Sequence, residues 1–426
     1  MTHVRGFVFA GVILAAFLCY LQRSTLSVVA VALMNERGFT TWQIAWLFNA
    51  FLFPYMAFQI PGGLFGQRVG ARVGTLACIA LSIAGTALFA GAPWLAAGTL
   101  LFGLLCTARF LVGVAQGPLF PTNSGLVQAW FPPQRWGLMN GLQVMGLSLG
   151  AAATPPAISR LMAAYGWEAA VASTCIPALV LAVLWWWKIR DTPREHAGVS
   201  AAELAWVEAG ERPAVARSFR WPQVRAVLGN RNILLLTLAY LLQNYVFYFF
   251  MNWSFTYLVK SRGLTILEGG FLGMIPLATG AICAALGGYL CDAASSRFGP
   301  RWGYRIIPVV TLPLAALLLL VAMQSTSVWV AVVALAACFG CAQMTEAPSW
   351  AAAYYLARNQ ASAATGVLNC GGNIGGIIGT FLVGALVTRF GWPAALTTGI
   401  GFALASAATW LLIDASQRVD ADGAAT

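Results

Sequence analysis

Apolar runs of eighteen or more residues recur along almost the entire chain, separated by short polar gaps. They predict helices near 7–33, 42–66, 73–91, 95–128, 136–163 and 167–188, then near 232–259, 267–292, 304–323, 327–356, 361–388 and 393–413. A helix of about 20 apolar residues spans the roughly 30 Å hydrocarbon core of a bilayer. The pattern therefore predicts an all-α membrane protein of twelve transmembrane helices.

One long polar stretch, Ile189–Arg231, divides the runs into two sets of six. It predicts a first half over 1–188, a linker over 189–231 with a short amphipathic helix around 200–210, and a second half over 232–426. Placing both termini and the linker in the cytoplasm puts seventeen Lys and Arg on that side and five on the other. Basic residues concentrate on the cytoplasmic side of membrane proteins, so the expected location is the inner membrane, multi-pass, with both ends inside.

Composition agrees. Sixty percent of residues are hydrophobic and only 9% charged, against roughly 25% charged in a soluble domain. The net charge of +11 lies in the gaps between runs and forms no polar stripe, which argues against nucleic acid. Nine cysteines fall almost entirely inside apolar runs, including the Cys338–Cys341 CxxC, and read as small buried hydrophobes. The run from Phe7 shows no small-residue cleavage site, so it reads as a span.

The two halves repeat. Gly62-Gly63-Leu64-Phe65-Gly66-Gln67 matches Gly287-Gly288-Tyr289-Leu290-Cys291-Asp292 at an offset of 225 residues. Gly141, Gly150 and Gly166-Trp167 match Gly366, Gly375 and Gly391-Trp392 at the same offset. Two pseudo-symmetric six-helix halves in parallel arrangement are the signature of the major facilitator fold, in which substrate binds near mid-membrane. The glycine pairs let neighbouring helices approach closely. Gly63 and Gly288, with Arg68 and Asp292 beyond them, are the candidate gating residues, latching loops at the cytoplasmic face.

Charged side chains deep in a membrane cost about 2.5–3.5 kcal/mol on insertion scales, and usually serve a function. Arg23 lies mid-way along the first span, where a guanidinium can bind a carboxylate bidentately; the alternative is a structural cation paired with Glu346 or carbonyls. Arg109, Gln116 and Asn123 form a stripe at i, i+7 and i+14 that lines either a transport path or a helix contact. Glu346 is the only carboxylate predicted deep in the membrane, with Trp350 and Tyr354 on its face. A carboxyl out of water can hold a proton at neutral pH, which suits a proton carrier. Asn369 and Asn373 add an amide face at i and i+4.

Tyr20-Leu21-Gln22-Arg23-Ser24-Thr25-Leu26-Ser27 resembles the Tyr-Leu-Asp-Arg-x-x-Leu-Ser of the anion:cation symporter family, within the major facilitator superfamily. Gln59-Ile60-Pro61-Gly62-Gly63 resembles the end of that family's second helix. Arg109-Phe110-Leu111-Val112-Gly113 through Gln116-Gly117-Pro118-Leu119-Phe120-Pro121 resembles its fourth, and Asn252-Trp253 its seventh. Asp191-Thr192-Pro193-Arg194-Glu195-His196 resembles the start of its central loop.

The resemblance implies transport of organic anions such as sugar acids, usually with protons. It implies that Arg23 holds the substrate carboxylate, with Tyr20, Tyr55, Gln143, Trp350, Asn369 and Asn373 lining the cavity and Arg109 as a further candidate. The family's titrating Asp and Glu are replaced here by Gln22 and Gln116, and its first latch Asp by Gln67. Either coupling has moved to Glu346 or transport proceeds without a proton. The expectation is a secondary active importer of a small organic anion, working by alternating access. An uncoupled facilitator or exchanger is the alternative, and an intramembrane enzyme or a sensor a more distant one. The only histidines, His3 and His196, lie outside the spans and no acidic pairs are present to hold a metal. No metal or cofactor is expected, and the chain is expected to be a monomer.

Overall fold

The computed structural model describes residues 4–132, 135–208, 221–357 and 361–417. These form helices α1 Val4–Glu36, α2 Thr41–Ala57, α3 Gln59–Val69, α4 Ala71–Leu95, α5 Gly98–Gln116, α6 Leu119–Trp130, α7 Trp136–Ser173 and α8 Cys175–Lys188. After the short α9 (Ala201–Glu208) and α10 (Trp221–Gly229) come α11 Arg231–Tyr248, α12 Ser254–Lys260, α13 Ile266–Gln324, α14 Val328–Gln343, α15 Glu346–Leu356, α16 Ala361–Phe390 and α17 Trp392–Leu412. No strand occurs among the described residues.

Nine described helical segments are long and apolar enough to cross a bilayer. Two of them, Leu142–Lys188 and Ile266–Gln324, run to 47 and 59 residues, and each contains a glycine outside helical geometry, Gly166 and Gly299. Each is two spans joined end to end. Residues 41–69, interrupted at Phe58, supply the twelfth span. The breaks have local causes: Pro54 and Pro61 in the second span, Pro118 in the fourth, and a π-helical turn at Phe249–Trp253 in the seventh.

The linker departs from expectation at its end. Trp221–Gly229 is helical, because Val227 is buried in the core of the second half and Asn230 caps α11 by accepting from Ile233 N at 3.1 Å. A short helix, α9, lies where one was expected. Arg212, Arg217 and Arg220 of the linker, with Arg358 and Arg418, lie outside the described residues.

Contacts divide the chain into two compact units, Met1–Phe39 with Trp46–Val215 and Thr40–Ala45 with Ala216–Thr426. Each unit shows the same device where its first and fifth spans cross. A Cβ on Gly150 would stand 2.2 Å from Phe17 O, and one on Gly375 would stand 2.2 Å from Leu241 O. One helix backbone lies directly on the other, and only glycine permits that. The left-handed turn glycines repeat as well: Gly38 and Gly263 have φ of 69° and 72°, Gly166 and Gly391 of 82° and 77°, each pair 225 residues apart.

Candidate functional site

In the first unit, α1 carries Tyr20 and Arg23 one turn apart on one face. Arg23 is 7% exposed, and its Nη1 donates to Tyr20 Oη at 3.3 Å. Its guanidinium carbon lies 5.1, 5.0 and 5.0 Å from the ring centroids of Tyr20, Phe51 and Tyr55. Phe51 and Tyr55 stack at 5.4 Å on α2. Two α5 glycines let α2 come this close: a Cβ would meet Phe51 O at 2.3 Å from Gly113 and Tyr55 O at 2.6 Å from Gly117. An arginine among aromatic faces keeps its charge while losing water, and cation–π attraction offsets part of that cost.

Arg109, 5% exposed on α5, lies 4.9 Å from the same Phe51 ring. The rest of its stripe makes helix contacts with α4. Ser82 Oγ donates to Gln22 Oε1 at 2.7 Å and accepts from Gln116 Nε2 at 3.2 Å, while Thr75 donates to Asn123 Oδ1 at 2.9 Å. Gln22 and Gln116 are therefore tied through one hydroxyl, in a link of neutral groups. Gln143 on α7 is 2% exposed and its Nε2 has no acceptor among the described residues.

The second unit builds a carboxylate centre. Thr345 interrupts the tenth span, and Glu346 opens α15. Tyr240 of α11 donates to Glu346 Oε2 at 3.0 Å and Trp350 Nε1 donates to the same oxygen at 3.1 Å. Beside it Tyr248 donates to Asn373 Oδ1 at 3.2 Å, Asn373 Nδ2 donates to Asn369 O at 2.9 Å, and Asn244 Nδ2 to Tyr240 O at 2.7 Å. Glu346, Trp350 and Asn369 are half-buried, and Asn373 is buried.

Of the gating candidates, Gly63 and Gly288 lie at helix contacts, with a Cβ 2.9 Å from Pro121 and 3.4 Å from Ala347 respectively. Arg68 and Asp292 are exposed and make no ion pair among the described residues. Different acids tie the loops. Asp191, just after the first half's last span, accepts from Arg72 N at 2.8 Å at the start of α4, and Arg72 donates to Trp186 O. Asp414, just after the second half's last span, lies 3.4 Å from Arg301, and its N–H donates to Asn232 Oδ1 at 2.8 Å. Sequence reasoning missed Tyr240 and Ser82 as well; an isolated hydroxyl in an apolar run is the one signal either offers.

The sequence model of the Major Facilitator Superfamily matches residues 12–298 and 293–425. The chain belongs to that superfamily. Among curated relatives of this Major Facilitator chain, a probable galactarate/D-glucarate transporter of Bacillus subtilis is 29% identical over 427 residues, covering 97% of this chain and 92% of that one. The hexuronate transporter of the same organism is 29% identical, covering 89% and 87%. A bacterial homolog of the human lysosomal transporter Spinster, solved in an inward-facing, unoccupied conformation, has the same fold with a TM-score of 0.77 at 18% identity, covering 97% of both chains. The protein is thus a multi-pass membrane transporter and not an enzyme. The free cysteines include Cys338 and Cys341, and no metal-ligating cluster occurs among the described residues.

Proposed function

We propose that this transporter takes up a small organic anion, a sugar acid being the best candidate, by alternating access. The observation that carries the reading is Arg23, buried against three aromatic rings with Tyr20 as its hydroxyl neighbour. A guanidinium supplies paired donors for a carboxylate, and the rings suit the apolar faces of a sugar acid. Tyr20 and Tyr55 complete that end of the site; Gln143, Trp350, Asn369 and Asn373 are candidates for the substrate's remaining groups. The likeness to sugar-acid transporters supports the same reading.

Coupling to protons is assigned to Glu346, whose carboxylate accepts from Tyr240 and Trp350. A second reading, facilitation or exchange without protons, draws on the Gln22–Ser82–Gln116 link, which contains nothing that titrates. We place both termini in the cytoplasm from the distribution of Lys and Arg, with the chain in the inner membrane and acting as a monomer.

Counterflow of radiolabelled galactarate or glucuronate into proteoliposomes tests the assignment. Arg23→Lys should weaken uptake by about 10–100-fold, as expected for lost charged hydrogen bonds, and Arg23→Ala should abolish it. Parental counterflow by the alanine variant would remove Arg23 from the site.

A further inference from the structure

Trp350 has one polar group, the indole N–H, and uses it inside the protein, on Glu346 Oε2 at 3.1 Å. The same oxygen accepts from Tyr240 Oη at 3.0 Å. The other carboxylate oxygen, Oε1, has only a long contact from that hydroxyl, at 3.4 Å, among the described residues. Tyr248 Oη and the Asn373 amide are likewise engaged within the centre. What half-buried Glu346 and Trp350 still present to a ligand is therefore an acceptor oxygen and an indole ring.

Both favour positive charge. No lysine or arginine lies within ion-pair distance of Glu346 among the described residues. The tyrosine and tryptophan are neutral donors, and they leave the carboxylate without a counter-charge, a costly condition inside a membrane. A purely anionic ligand that reached Trp350 would stand beside a like charge, which opposes binding. An indole ring, in contrast, attracts a cation placed over its face.

We propose that Glu346 is the counter-charge for an ammonium group on the substrate, which is then an amino sugar acid rather than a simple anion. This rests on the reading above, in which Arg23 takes the carboxylate. A dipolar substrate gives each buried charge an opposite one, Arg23 through its carboxylate and Glu346 through its nitrogen. A fixed charge met by a fixed charge needs no proton. That agrees with exchange, the reading drawn from the Gln22–Ser82–Gln116 link.

Equilibrium binding of two probes to the purified full-length protein tests this. One is D-glucuronate; the other is 2-amino-2-deoxy-D-glucuronate, which has an ammonium in place of one hydroxyl. At about pH 6, below the α-amino range of about 7.7–8.0, the amine holds its proton. The parent should bind the amino probe about tenfold or more tighter, the gain expected of a charged hydrogen bond. Glu346→Gln should erase that preference. Should this variant fail to give monodisperse protein, Trp350→Leu should narrow the preference in the same measurement. Equal affinities in the parent, or a preference for glucuronate, overturn the proposal. A preference undiminished in Glu346→Gln or Trp350→Leu also overturns it. Arg23→Gln should weaken both probes alike; if it weakens neither, the carboxylate reading falls while the ratio still supports the ammonium site. If neither probe binds folded parent, both readings fall.

Discussion

Arg23 and Arg109 both approach the ring of Phe51, at 5.0 and 4.9 Å from its centroid. One aromatic side chain, 1% exposed, thus meets two like charges within a single helical half. Each contact is worth about 2 kcal/mol when desolvated, while Coulomb repulsion between the cations opposes them.

Removing the ring should therefore cost more than its volume. Phe51→Leu is expected to destabilise the protein by about 2–4 kcal/mol, from lost cation–π contact and a partly filled cavity. In an Arg109→Gln background the same substitution should cost less, because one cation is already gone. A double-mutant cycle of thermal unfolding measures the difference. Strictly additive effects would show that Phe51 and Arg109 do not interact.

Glu346→Gln should abolish substrate accumulation driven by a proton gradient while preserving exchange, which needs no net proton movement. Tyr240→Phe removes one donor to the carboxylate and should shift the pH at which uptake is half-maximal rather than abolish it. Uptake against a gradient at parental level in Glu346→Gln would end the coupling assignment. A parent indifferent to a proton gradient would select the exchanger reading.

The two inter-helix glycines give matched experiments. Gly150→Ala and Gly375→Ala each place a Cβ 2.2 Å from a backbone carbonyl, so both should lower the melting temperature and the yield of folded protein. Gly366→Ala has nothing within 4 Å of its Cβ and should be neutral or slightly stabilising in its helix. Equal tolerance of all three would mean that the helices of each half do not cross at those glycines.

Asp414 follows the last span. Burial pushes its carboxyl up, but the Ser416 hydroxyl and N–H, with Arg301 and Arg305, outweigh this and hold it below its ordinary value. A carboxylate with a depressed folded pKa stabilises above its unfolded pKa of about 3.9 and loses that stability as pH falls further. Asp414→Asn should accordingly lower the melting temperature at pH 7, with the gap to the parent closing below about pH 4. An unchanged gap at pH 3 would assign the loss to the amide's geometry rather than to charge.

The spans and the two-fold repeat were legible because lipid punishes every unmet polar group, leaving apolar length and bare glycine contacts as overt marks. Arg23, Arg109 and Glu346 were legible by the same logic, as charges where charge is costly. Their partners were not. Tyr240 lies 106 residues from Glu346, and Ser82 lies 60 from Gln22 and 34 from Gln116; no local period joins residues that meet only when helices pack. Gln116 and Asn123 could line a path or a seam on sequence grounds, and only the hydroxyls of α4 decide for the seam. Helix α10 was hidden because nine residues, with Pro222 near their start and Gly229 at their end, are too short for an apolar period to stand out from a linker.

The crossings at Gly150 and Gly375 are contacts between a bare Cα and a backbone carbonyl. Every amino acid owns that carbonyl, so the opposing positions, Phe17 and Leu241, impose no demand on residue type. Helices α1 and α11 can therefore differ in chemistry: α1 carries Arg23 beside Tyr20, and α11 carries Tyr240, which donates to Glu346. A scaffold fastened through its main chain lets each copy be re-tasked by single substitutions while its bundle stays in place.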